Sequence, residues 1–148
     1  MGRAVRGLLL ATVVLAVSAV LYDLAPRTAH SARWQAYDAE LFDRALAEGR
    51  PVLVDVYAKW CPVCRRQLPI LDAALARPGF GDVLALVVDF DEDTEFLRAH
   101  RISRQATIVL FVHGKERVRI VADTNPRRVM RALEAGLDQR KTLHEIAL

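Results

Sequence analysis

Val52-Leu53-Val54-Asp55-Val56-Tyr57-Ala58-Lys59-Trp60-Cys61-Pro62-Val63-Cys64-Arg65 decides how this chain is read. Residues 52–57 form an apolar run of the kind found in a central strand buried on both faces. One ionisable group, Asp55, interrupts it. The run leads into the chain's only two cysteines, separated by Pro62 and Val63. That spacing lets one thiolate attack a disulfide in another protein and lets its neighbour resolve the mixed disulfide, so the pair reads as a redox reagent. A zinc site would need two further ligands. No second cysteine pair exists, and His30, His100, His113 and His144 do not cluster in sequence. A redox pair is therefore preferred to a zinc site or a purely structural disulfide.

Downstream, residues 61–76 are expected to form a helix with Leu68, Ile70, Leu71, Ala74 and Leu75 on its apolar side. Pro69 should kink it and Pro78-Gly79 should stop it. A thiol at the first turn of a helix faces unpaired backbone N–H groups and the positive end of the macrodipole, which stabilise the thiolate. Cys61 is accordingly the expected nucleophile, with a lowered pKa, and Cys64, one turn further in and more buried, the resolving thiol. Pro62 suits an early helical position because it has no N–H to lose. Trp60 is expected to pack beside the thiol and shield it. Lys59, Arg65 and Arg66 either add positive potential or are simply solvated. Asp55 would be costly as an unpaired buried carboxylate, and burial should raise its pKa.

Outward from this centre, Trp34 and Tyr37 suggest a short edge strand or a hydrophobic lid. Asp38 is a good N-cap for a helix reaching residue 48, with a Tyr37–Phe42 staple, and Gly49 and Pro51 end it. Residues 83–88 read as a second buried strand, followed by an acidic stretch over 89–95 and a short helix over 94–100. The acidic spacing is not that of an EF-hand loop and suits a solvated loop. Residues 107–112 and 117–121 flank His113-Gly114 as an antiparallel hairpin. A last helix begins at Thr124 or Asn125 with Pro126 in its first turn, and Val129, Met130, Leu133 and Leu137 form its apolar face.

With 148 residues, 53% of them hydrophobic, the chain has room for one domain and an appendage. The net charge of +3 is spread along the length without a basic stripe, which gives no indication of nucleic-acid binding. The appendage is N-terminal: Arg3 and Arg6 precede the uncharged run from Gly7 to Tyr22. At roughly 1.5 Å per residue such a helix is about 24 Å long, slightly short of a hydrocarbon core of about 30 Å. A cleavable signal is allowed by Val17-Ser18-Ala19. An uncleaved anchor ending at Tyr22, Asp23, Pro26 and Arg27 is favoured, because the apolar run continues past Ala19. Both readings place the remainder outside the cytoplasm, in the periplasm of a bacterium. The expected organisation is a signal-anchor or signal peptide over 1–23, a linker over 24–33, a globular domain over 34–140 and a tail over 141–148.

The sequence around the cysteines resembles the active site of the thioredoxin family, over roughly residues 34–140. Ala58-Lys59-Trp60-Cys61-Pro62-Val63-Cys64-Arg65 carries the likeness, preceded by Val-Leu-Val-Asp and followed by a proline five residues after the second cysteine. The stretch from Gly49 to Cys61 is most similar to the C-terminal domain of DsbD and to membrane-tethered periplasmic relatives such as TlpA. The resemblance implies an α/β fold in three layers, α/β/α, around a central mixed sheet. It implies a protein-disulfide reductase in the inner membrane facing the periplasm, or soluble there after cleavage, without a cofactor. Protein disulfides are the implied substrates, and a DsbD-type membrane protein the implied electron donor. Cytochrome c maturation or copper-site proteins are the implied clients. A tethered copper-binding or chaperone module using the same thiols is the alternative. Asp55 matches the family acid that helps deprotonate the resolving cysteine, although the neighbouring strand lacks the lysine that accompanies this acid in thioredoxin. Trp60, Pro62, Gln105, Ala106 and Thr107 match the substrate-facing surface. Ala106 replaces the family's cis-proline, and since a cis bond before a non-proline residue costs about 2.5–4 kcal/mol, the Gln105–Ala106 peptide is expected to be trans.

Overall fold

Alternation along residues 52–57 builds the layers. The computed structural model describes residues 30–146, with side chains as far as residue 138. The chain runs β1 (Trp34–Ala36), α1 (Ala39–Ala47), β2 (Val52–Tyr57), α2 (Pro62–Leu75), a 3-10 turn (Pro78–Phe80), β3 (Leu84–Asp89), α3 (Thr94–Ala99), β4 (Thr107–Val112), β5 (Lys115–Val121) and α4 (Pro126–Ile146). Val52, Val54 and Val56 point to one side of the sheet, against Phe42 and Ala45 of α1 and Phe96 and Leu97 of α3. Leu53 points to the other side, against Ile70, Leu71 and Ala74 of α2 and Val129, Leu133 and Leu137 of α4. Helices thus cover both faces, giving the expected three-layer α/β fold.

The five-stranded sheet has the order β1-β3-β2-β4-β5. β2 lies at its centre, parallel to β3 and antiparallel to β4, with Asp55 opposite Val87 and Ile108. A parallel pair needs a crossover, and α2 supplies it, so the cysteine-bearing helix begins where the central strand ends. Trp34 opens an edge strand rather than a lid, pairing parallel to β3.

Local chemistry fixes the boundaries. Asp38 accepts the Leu41 N–H at 2.7 Å, capping α1, and the Tyr37 and Phe42 rings meet at 6.0 Å. His113 and Gly114 both have positive φ, 51° and 69°, as a two-residue turn matching the right-handed strand twist requires. β5 starts two residues earlier than its apolar pattern suggested, because Lys115 and Glu116 pair with Val112 and Phe111 across that turn. α4 continues to Ile146, through much of the stretch expected as a tail.

The expected membrane segment, residues 1–23, lies outside the described residues. Among the described residues no helix is long and apolar enough to cross a membrane. The described end of the expected linker packs on the domain instead of running free. Ser31 Oγ donates to Asp72 Oδ1 at 2.9 Å, and the Arg33 guanidinium donates to the Leu75 and Phe80 carbonyls at 2.9 and 3.1 Å. The Leu75 carbonyl lies at the end of α2, where the helix leaves carbonyls without an intrahelical donor, and the Phe80 carbonyl, which also accepts the Val83 N–H at 3.2 Å, lies in the turn after it; composition alone does not reveal either contact.

Candidate active site

Cys61 is the N-cap of α2. Its backbone is extended, and its Sγ accepts the N–H of Cys64 at 3.1 Å. Pro62 occupies the first helical position, where a missing N–H costs nothing. The Cys61 N–H donates to Ala58 O at 3.0 Å, closing the turn between β2 and α2. An orphan helix donor aimed at a sulfur is the arrangement that favours a thiolate over a thiol.

Both cysteines are free thiols, and they are almost equally buried, Cys61 at 1% exposure and Cys64 at 0%. Ala58 and Ala106 pack on them, flanked by Tyr57, Val63 and Phe90. The Cys64 thiol is pushed up to about 12, first by burial, then by the hydrogen bond with Cys61 and by the charges of Cys61 and Asp55. A backbone contact with Ala58 opposes this. Cys64 is therefore poor at losing its proton unaided.

Asp55 is fully buried on the face of β2 turned towards α2 and α4. Burial pushes its carboxyl up, the His30 hydrogen bond and charge pull it back, and Asp72 adds to the rise. β3 indeed carries no cation, yet the acid is not left without a partner. His30 Nε2 stands 2.9 Å from Asp55 Oδ2. Sequence reasoning had put His30 in the tether. No local pattern could have found it, because the contact bridges 25 positions. Gln67 was also missed: it is fully buried on α2, and its amide donates to Asp123 O at 3.0 Å, tying the cysteine helix to the turn before α4.

The outer surface differs in part from expectation. Trp60 is 56% exposed, and its indole N–H donates to Asp91 Oδ2 at 2.8 Å. The acidic loop thereby gains a task. It is braced by its own backbone, with the Asp89 N–H donating to Asp93 and the Asp91 N–H to Asp89. Pro62 is exposed and Gln105 half-buried. Ala106 and Thr107 are each 2% exposed, so their side chains offer little to a partner.

No peptide bond among the described residues is cis, so Gln105–Ala106 is trans as expected. Ala106 adopts φ +56°. Its N–H donates to Val56 O at 2.9 Å, and its carbonyl accepts from the Ala122 N–H at 2.8 Å. This N–H, which a proline at the same position would lack, is engaged with β2 and is not offered to a client. Lys59, Arg65 and Arg66 are exposed, and Arg65 donates to the Lys59 carbonyl. Among the described residues no group of three or more His, Cys, Asp or Glu side chains is placed to hold a metal ion.

A cysteine at the N-cap of a helix that follows the central strand of a mixed sheet, with a buried second thiol one turn on, defines a dithiol–disulfide exchange protein. Residues 33–135 match the Thioredoxin family model. Thioredoxin-1 of Saccharomyces cerevisiae is 32% identical over 98 residues, 66% of this chain and 92% of that protein. Thioredoxin of Mycobacterium tuberculosis is 30% identical over 103 residues, 70% of this chain and 88% of that one. The crystal structure of Trxlp from Edwardsiella tarda superposes with a TM-score of 0.64 at 39% identity, covering 66% of this chain and 95% of that one. The chain belongs to the thioredoxin family and is a thioredoxin-type thiol–disulfide oxidoreductase.

Proposed function

We propose that this chain is a membrane-tethered protein-disulfide reductase working outside the cytoplasm. The observation that carries the chemistry is the Cys64 N–H directed at Cys61 Sγ, with Asp55 buried beneath the pair. The Cys61 thiolate attacks one sulfur of a substrate disulfide; the Cys61–substrate S–S bond forms and the other substrate sulfur leaves as a thiolate. Cys64 gives its proton to Asp55 and attacks Cys61 Sγ. The mixed disulfide breaks, the second substrate sulfur leaves, and Cys61–Cys64 is left oxidised. Two electrons have passed to the substrate, and its sulfurs take protons from water. Trp60, Pro62 and Gln105 line the surface that a client meets.

The extracytoplasmic location rests on the Arg3/Arg6 pair and the uncharged run from Gly7 to Tyr22. The reducing direction, a membrane donor of the DsbD type and clients such as apocytochrome c rest on the resemblance around residues 49–61. The full-length chain in mild detergent should reduce insulin disulfides, and Cys61→Ser should abolish turnover. No turnover by the wild type would overturn the enzymatic reading. Sequencing the mature N-terminus separates anchor from signal, since a start at Val20 would mean that the segment is cleaved. Trapping clients in cells with Cys64→Ala would identify both client and donor.

A further inference from the structure

The buried acid of the site has a partner from an unexpected quarter. The Asp55 carboxylate is divided in two: Oδ2 meets His30 Nε2 at 2.9 Å, while Oδ1 is buried without a hydrogen-bond partner among the described residues. The His30 side chain keeps 14% of its surface exposed, against 0% for Asp55. The imidazole therefore spans from the buried acid to solvent.

Its position is built rather than incidental. Four hydrogen bonds fasten the residues that follow it to the underside of α2 and the turn beyond. Ser31 Oγ and Trp34 Nε1 both donate to Asp72 Oδ1, each at 2.9 Å, and Arg33 donates to the Leu75 and Phe80 carbonyls. The ring is held edge-on between Trp34 and Tyr57, at centroid distances of 5.1 and 4.8 Å.

The surrounding charges leave the basic role to His30. From β2 come Asp55 itself and the Tyr57 phenol, and from α2 and its cap come Cys61, Cys64 and Asp72, all acids; the Arg65 guanidinium of α2 acts on Tyr57 but is exposed and donates to the Lys59 carbonyl. β3 and β4 present Val87 and Ile108 opposite Asp55, β1 presents Trp34, and the Arg33 guanidinium is committed to carbonyls.

We propose that His30 is the positioning residue for Asp55, holding a proton against the carboxylate and connecting it to solvent while Cys64 resolves the mixed disulfide. This rests on Asp55 acting as acceptor for the Cys64 proton. In the proposed step the pair begins as carboxylate and imidazolium, sharing one proton. Cys64 transfers its proton to Asp55 and attacks Cys61 Sγ, and the imidazolium releases one proton to water from its exposed edge. Carboxylic acid and neutral imidazole remain, again sharing one proton, and the net change is one proton delivered from Cys64 to solvent. A base reached only through burial would lack this exit, and histidine changes charge in the range where such transfer is useful.

The test uses the full-length chain with His30→Phe, which keeps an aromatic ring against Trp34 and Tyr57, and His30→Lys, which restores a cation. The Asp55 carboxyl is followed by 13C NMR against pH in the reduced protein, and mixed-disulfide resolution by acid quench. In His30→Phe the Asp55 titration should move to higher pH and resolution at pH 7 should slow by about tenfold, less than the roughly 10²–10⁴-fold that general acid–base assistance supplies in full, because Asp55 itself is still there to accept the proton. His30→Lys should restore part of both. An unchanged Asp55 titration in a folded His30→Phe protein overturns the inference. Should that variant fail to fold, the wild type decides: the His30 15N signals and the Asp55 13C signal must report the same midpoints, and independent titrations overturn the pairing. If Asp55→Asn leaves resolution unchanged, the role of Asp55 itself has failed; if Asp55→Asn slows it and His30→Phe does not, only the role of His30 has.

Discussion

Removing the acid beneath the cysteines should separate the two halves of the exchange reaction. With the Cys64 thiol near 12 in the free dithiol, its thiolate fraction at pH 7 is about 10⁻⁵, a handicap on the order of 7 kcal/mol. Part of that height comes from the hydrogen bond and charge of Cys61 and disappears once Cys61 is tied into a mixed disulfide. The largest contribution, burial, remains. A base that accepts the proton during attack relieves the handicap, and such assistance is typically worth 10²–10⁴-fold. Asp55→Asn is nearly isosteric and can still meet His30, but it cannot take a proton. It should slow resolution at pH 7 by roughly 10²–10³-fold, with the rate rising about tenfold per pH unit as hydroxide supplies the only route to the thiolate. Formation of the mixed disulfide, which uses Cys61, should change by less than about threefold, since no proton passes through Asp55 in that step. Acid quench with mass spectrometry would follow both species after mixing with a chromogenic disulfide. Accumulation of the mixed disulfide is the expected signature. Resolution as fast as the wild type with the same pH profile would refute the reasoning.

Three further outcomes follow from packing and charge. A Cβ at Gly136 would come within 2.6 Å of Val118 Cγ2 and 2.9 Å of Leu110 Cδ2, so Gly136→Ala must lift α4 off the hairpin and should lower stability by about 1–3 kcal/mol in urea unfolding, despite alanine's better helix propensity. Asp38→Ala removes the cap of α1 and should cost about 1 kcal/mol by the same measurement. Burial among Phe42, Phe96 and Phe111 holds the His100 imidazole below its ordinary range, with Glu116 and Asp43 opposing and Arg119 assisting. The unfolded chain then binds the proton more readily, so stability falls as pH drops through about 6.5 and levels off below the depressed folded value. His100→Gln should flatten that slope in melts between pH 5 and 8, and an unchanged slope would exclude His100 as its source.

The site was legible in the sequence where chemistry depends on neighbours along the chain. Cys61, Pro62 and Cys64 fall within one helical turn, so capping rules alone put a sulfur in reach of an orphan N–H. Asp55 stood out as the single charge in an apolar strand. Trp60 was less legible: its neighbour along the chain is Cys61, but its hydrogen-bond acceptor, Asp91, lies 31 positions away in a loop that had no assigned task. The environment of Ala106 likewise comes from Val56 on β2 and Ala122 after β5, which only the register of the sheet brings together.

By itself, the sequence determined the cysteine pair, the strand that leads to it, the helix that follows and the caps that bound them, because hydrophobic period and capping act over a few residues. The tertiary structure alone decided what stands beside the buried acid. His30 precedes the first strand and meets Asp55 in the centre of the sheet only because Ser31, Arg33 and Trp34 bind groups on α2 and just beyond it. Such a contact depends on β1 pairing with β3, one strand away from β2, and on the segment before it docking on α2, and no local periodicity records it.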